Sequence, residues 1–137
     1  MTIGYLKVSD GLRINRDSGR EKLRRERACR MCVRPSAELE ELWRRPDAVR
    51  ILTRHHLVPK RFFKHLPEWR HLRDCDANIA PLCRSDHDLI HSRDAAVRLQ
   101  ARAMLRRVLT QEEIAFMIQV RGIEWMNDKY PLHPYTS

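Results

Sequence analysis

Apolar residues recur at helical spacing through the last third of the chain. Val97, Leu99, Ala101, Met104, Leu105 and Val108 form one stripe, and Asp94 stands where a helix N-cap belongs. This predicts a helix over Ala95–Leu109. Thr110-Gln-Glu-Glu113 reads as a capping box. A last helix is expected from there to about Lys129, with Ile114, Met117, Ile118 and Trp125 inward and Pro131 as its stop. Both helices read as scaffold. Upstream the period shortens to two. Val49–His55 alternates as a strand does, and Asn78–Cys83 reads as a second strand at a sheet edge, because Pro81 has no N–H for a ladder.

Shorter helices are expected at Arg20–Arg27 and, behind a Ser36 cap, at Ala37–Arg44, with Leu39, Leu42 and Trp43 inward and Pro46 ending it. Another, starting at Ser85 or Asp86, carries His87 and His91. Residues 1–20 hold three of the four glycines and little periodicity, so they are expected to be poorly ordered. Residues 21–137 then form a single domain, with a core at 29–92 and C-terminal helices at 94–130. The class is α+β.

Composition agrees with a globular protein: 42% hydrophobic and 33% charged residues, with 4 Gly and 7 Pro in 137. No run approaches the ~18 apolar residues of a membrane span. Met1–Asp10 lacks the apolar centre of a signal peptide. The expectation is a cytoplasmic protein of a bacterium or a phage-infected cell, with no membrane partner. In a reducing compartment the four cysteines are better read as metal ligands than as disulfides.

The net charge of +9 is uneven. Residues 1–34 carry ten Lys/Arg against four Asp/Glu, and residues 44–73 carry nine against two. Residues 74–94 reverse the sign, with two against five. A basic body with a local acidic stretch suits a polyanion binder that also holds a metal. A solvated basic face is the bland alternative.

The chemistry-bearing residues are His55-His56, Asn78, His87 and His91. His87 and His91, four apart, share one helical face and can point at one ion. Neighbouring strand residues point to opposite sides, so one of His55 and His56 can bind a metal while the other faces a substrate. His65, His71 and His133 lack such context and are assigned to the surface or to packing. The order is Arg54-His55-His56-Leu57-Val58-Pro59, then Asn78-Ile79-Ala80-Pro81-Leu82-Cys83, then Asp86-His87, then His91. It resembles the HNH endonuclease family, in the form of its small stand-alone phage and bacterial members. The likeness covers Cys29 to about His91.

That resemblance implies a ββα-metal core, a two-stranded hairpin plus a helix with a divalent ion between them. By position, His55, His87 and His91 would be metal ligands and His56 the general base. Asn78 would hold the hairpin loop and so orient His56. The implied activity is metal-dependent hydrolysis of DNA phosphodiester bonds, leaving 5′-phosphate and 3′-hydroxyl ends; RNA stays open as a substrate. The chemistry suits these residue types. A histidine with pKa near ~6.5 can take a proton from water, and a cation stabilises charge on the phosphate. Basic surroundings are expected to lower the His56 pKa. One catalytic divalent ion is implied: Mg²⁺, Mn²⁺, Co²⁺, Ni²⁺ or Zn²⁺, with imidazole favouring the last four in affinity.

Cys29-x-x-Cys32 is half of a zinc knuckle, and its usual partner pair here reads Cys83-Arg84-Ser85-Asp86-His87. A structural zinc could take Cys29, Cys32 and Cys83 with either Asp86 or Cys75 as fourth ligand. The cysteines could equally pack as small apolar groups. Between His56 and Asn78, the segment with Lys60, Arg61, Phe62, Phe63, Lys64 and Trp69 is basic and aromatic. Its aromatics are assigned to packing, and Lys60 and Arg61 to phosphate contacts. Arg54 either touches the scissile phosphate or faces outward. The rival function is a non-catalytic, zinc-supported nucleic-acid-binding module or a docking subunit of a DNA-processing or packaging complex. Such a module has no use for a free imidazole beside three candidate ligands.

Overall fold

In the computed structural model, β1 (Leu52–His56) and β2 (Ile79–Cys83) pair antiparallel, from Leu52 opposite Cys83 to His56 opposite Ile79. The structure describes residues 18–26, 28–32 and 52–133. The expected helix at 37–44, the start of the first strand at 49–51 and the segment 1–17 lie outside the described residues. The architecture is mixed α+β: one hairpin and several helices. Every residue of β2 is buried, while β1 buries Leu52 and His55. Pro81 costs no ladder bond, since the described sheet has two strands, and its carbonyl accepts from Arg30 N–H at 2.9 Å.

Helix α1 (Ser18–Glu26) contributes Leu23 to the core. After β1 the chain makes a one-turn helix, α2 (Lys60–Phe63), and two 3₁₀ turns, Pro67–Leu72 and Asp76–Asn78. Phe63 and Leu72 are buried, and Phe62 and Trp69 are partly buried against the core, as expected of packing aromatics. Helix α3 (Arg84–Ile90) starts directly from β2, and His91 is its C-cap. This direct strand-to-helix passage places the doublet of β1 beside the histidines of α3.

Helix α4 (Ala95–Arg107) is capped by Asp94, whose carboxylate accepts from the N–H groups of Ala96 and Val97. Helix α5 (Gln111–Arg121) has the expected capping box: Thr110 Oγ1 accepts from Glu113 N–H at 3.1 Å, and Glu113 Oε1 accepts from Thr110 N–H at 2.8 Å. The single long last helix is corrected. Gly122, at φ 95°, breaks it into α5 and α6 (Ile123–Lys129), because only glycine adopts that left-handed backbone readily. Phe116, Met117, Val120 and Met126 are the buried apolar residues of this pair, while Ile114, Ile118 and Trp125 are half-buried.

The expected stripe of α4 is corrected as well. Ala101 and Leu105 are buried, but Val97, Met104 and Val108 are 36%, 50% and 42% exposed. The inward face of this helix carries Arg98 and Arg102 beside Ala101 and Leu105, so hydrophobicity alone picks a face rotated from the true one.

A buried ionic network ties the N-terminal segment to α5. Lys22 pairs with Glu113, and Arg30 grips the same carboxylate with two bonds of 2.7 and 2.8 Å while pairing with Glu26. Burial pushes the Glu113 pKa up, but its bonds to Arg30 and the charge of Lys22 outweigh this and hold it below the usual carboxylate range.

Candidate active site

The rings of His55, His87 and His91 meet where β1 packs on α3. Their centroids are 5.3 Å apart for His55–His87 and His55–His91, and 4.9 Å for His87–His91. One nitrogen from each lies within 4.8 Å of the others, so small side-chain rotations bring all three onto one ion at the usual ~2.1 Å. His55 is buried, His87 half-buried and His91 exposed, and loss of water around the ring is the first cause that lowers the pKa of each. It lowers His55 well below the ordinary histidine value, takes His87 to about 4, and lowers His91, with help from the neighbouring imidazoles and Arg102. Neutral rings offer lone pairs to a cation.

His55 has a definite tautomer. The Tyr130 hydroxyl donates to the Leu57 carbonyl at 3.0 Å, so its oxygen accepts from His55 Nε2–H at 2.8 Å. The lone pair of His55 therefore sits on Nδ1, which is buried and has no hydrogen-bond partner. An orphaned buried acceptor is costly unless something fills its place. A metal would, and a ligand histidine that donates its other N–H is the usual arrangement.

His56 points elsewhere. Its Nε2 lies 2.8 Å from Asp74 Oδ1, and the other Asp74 oxygen accepts from Arg73 Nε at 2.9 Å. The carboxylate can only accept, so His56 Nε2 carries the proton and Nδ1 the free lone pair. The His56 pKa is lowered, as expected, but burial comes first among the causes, ahead of Lys60 and Arg54, and Asp74 opposes it. Asn78 is fully buried and fully bonded. Its Oδ1 accepts from Val58 N–H at 2.7 Å, and its Nδ2 donates to the carbonyls of Val58 (3.1 Å) and Arg73 (2.8 Å). One side chain thus ties the turn after His56 to the residue before Asp74.

Cys29, Cys32, Cys83 and Asp86 form a second candidate metal-ligand group. The three sulfurs lie 3.1, 3.2 and 3.3 Å from Asp86 Oδ2, and Cys32 Sγ is 3.5 Å from Cys83 Sγ. Ligands on a tetrahedral zinc with bonds of ~2.0–2.3 Å are spaced at about this distance. Asp86, not Cys75, holds the fourth corner. Cys75 is buried outside the group, and burial pushes its thiol up to about 12. The described cysteines are all free thiols.

Above the imidazoles opens a cleft of about 1000 Å³. His55, His56, His87 and His91 line it together with eight cations: Arg54, Lys60, Arg61, Arg93, Arg98, Arg102, Arg121 and Lys129. Among the described residues, no acidic one lines it. Arg54, Lys60 and Arg61 were expected here. Arg98 and Arg102 from α4, Arg121 from α5, and Lys129 and Trp125 from α6 were not, so the last helices, read as scaffold, also line the cleft. Tyr130, the C-cap of α6, and Asp74 also escaped sequence reasoning. The one available signal was the i, i+4 pair Arg98/Arg102 on an inward-facing helix. His65, His71 and His133 are exposed, as assigned. Among the described residues no helix is long and apolar enough to cross a membrane. Neither a protein-family model, nor a curated protein, nor a solved structure matches the chain.

Proposed function

We propose that this protein is a metal-dependent endonuclease of the HNH type that hydrolyses phosphodiester bonds in DNA. The observation that carries the reading is the unpartnered, buried Nδ1 of His55 in a trio of imidazoles with nitrogens within 4.8 Å of one another, while His56 stands apart in hydrogen bond to Asp74. His55, His87 and His91 would hold the divalent ion; its chemistry there is Lewis-acid stabilisation of charge on the phosphate and the leaving oxygen. A zinc on Cys29, Cys32, Cys83 and Asp86 would serve folding, pinning the segment around Arg30 to the start of α3.

The chain's own residues divide the remaining work. His56 Nδ1 takes a proton from water as the water oxygen bonds to phosphorus and the bond to the 3′-oxygen breaks. The departing 3′-oxygen takes a proton from solvent, leaving 5′-phosphate and 3′-hydroxyl ends. Asp74 keeps the His56 ring in the tautomer that leaves Nδ1 free, and favours the imidazolium that forms. Asn78 fixes both the turn behind His56 and the backbone before Asp74. The cations of the cleft hold the phosphate backbone.

The test is supercoiled plasmid incubated with each of Mg²⁺, Mn²⁺, Co²⁺, Ni²⁺ and Zn²⁺. Wild type is expected to nick it, and DNA ligase to reseal the nicks. His56→Ala is expected to bind the plasmid without cutting. Binding without cutting by wild type under every ion would favour the non-catalytic module instead.

A further inference from the structure

Arg102 is half-buried, and it makes no ion pair among the described residues. Its Nε donates to the Ile90 carbonyl at 3.1 Å, and its guanidinium carbon lies 5.5 Å from the centre of the Tyr130 ring. The outer nitrogens of the fork are left without a protein acceptor among the described residues. Arg98, one helical turn away, spends one nitrogen on the Ser92 carbonyl at 2.8 Å. Arg61 stands on α2 and lines the same cleft. The positive charges of Arg98 and Arg61 reach Arg102 and add to the lowering of its pKa that burial begins. Three like charges from two separate elements are thus gathered beside a candidate cation site. That arrangement opposes itself electrostatically unless an anion joins it.

We propose that Arg61, Arg98 and Arg102 form a seat for a phosphodiester group beside the imidazole trio, with Arg102 at its centre. The inference deepens the endonuclease reading and rests on it for the identity of the ligand. A guanidinium presents its donors as a planar fork that matches two oxygens of one phosphate, which an ammonium does not. The Ile90 carbonyl and the Tyr130 ring hold that fork in advance, so little rotamer freedom is lost when the anion arrives. Tyr130 then serves two groups: it accepts from His55 and supports Arg102. The phosphate would arrive between the imidazoles and the fork, where charge develops during hydrolysis.

The test uses full-length His56→Ala protein, so that no strand is cut, and a fluorescent 12-nucleotide thymidine strand. Adding Arg102→Gln is expected to weaken strand binding about 10-fold or more and to lower the salt slope by about one. Arg102→Lys is expected to recover only part of the loss. The melting temperature of Arg102→Gln is expected to stay level or rise, since an unpaired charge has been removed. If Arg102→Gln melts lower, Arg98→Gln and Arg61→Gln carry the test, each expected to weaken the strand severalfold. Inorganic phosphate is expected to compete only far above the strand's concentration. Unchanged strand affinity in all three variants would overturn the proposal, as would displacement by equimolar inorganic phosphate. Loss of strand affinity in the variants, in a wild type that cuts nothing, would sink the endonuclease reading and leave the seat standing.

Discussion

Tyr130 decides which nitrogen of His55 is free. The two residues are 75 positions apart, yet the 2.8 Å contact between hydroxyl and Nε2 sets the tautomer of a ring buried at the centre of the cleft. Tyr130→Phe removes the acceptor of His55 Nε2–H and the donor to Leu57. The ring can then switch tautomer or tilt. The expected result is a fold that persists and divalent-ion affinity down about 10–100-fold, the usual effect of losing such support behind a ligand. Calorimetric titration with Mn²⁺ reads it; unchanged affinity would show that the hydroxyl has no hold on the site.

Asp74 should act on rate rather than binding. Asp74→Asn keeps the size of the side chain and removes the charge that orients and stabilises the His56 imidazolium. A fall in kcat of about 100-fold is expected from a loss in general-base efficiency, with KM for DNA nearly unchanged. A rise in KM at constant kcat would mean that Asp74 only shapes the surface.

The cysteine group should hold zinc without taking part in cutting. Asp86→Cys completes four thiolates and is expected to tighten zinc binding and raise the melting temperature. Cys29→Ser is expected to lower both, and Cys75→Ser to leave zinc content unchanged, since Cys75 lies outside the group. Elemental analysis of the purified variants, with melting curves before and after chelation, checks all three.

Glu113 carries a pH prediction. Its pKa is depressed in the folded protein, so its contribution is complete above the unfolded carboxylate value and is lost as pH falls through the lower folded value. Stability is therefore expected to drop at the acid end of the carboxylate range. Glu113→Ala, which takes the buried carboxylate from Lys22 and Arg30 and leaves them the Asp76 carbonyl and Glu26 respectively, should cost about 3–5 kcal/mol and flatten that acid limb. Urea melts of both proteins at stepped pH measure it.

The parts legible in the sequence were those set by short spacing. His87 and His91 had to share a helical face, and Thr110 and Glu113 had to close a capping box; the place of Asn78 came only from the family resemblance, and its side chain ties Val58 to Arg73. Asp74 was hidden in a run of charges, Arg73-Asp74-Cys75-Asp76, where nothing marks one carboxylate as special. Tyr130 belongs to the site only because α6 ends against β1, a tertiary fact without a local signature. Arg98 and Arg102 fall outside the expected apolar stripe, because hydrophobic periodicity is blind to a helix that turns cations inward. The fourth corner of the thiolate group was open between Asp86 and Cys75 until the start of α3 put Asp86 under the three sulfurs.

Crystals soaked in Mn²⁺ and measured on both sides of the manganese and zinc absorption edges test the central assignment most directly. The expected map has one manganese peak bonded to His55 Nδ1, His87 and His91, with His56 outside the coordination sphere on Asp74, and a separate zinc peak among Cys29, Cys32, Cys83 and Asp86. A map with no peak among the three imidazoles, or with His56 itself bound to the ion, would contradict the account.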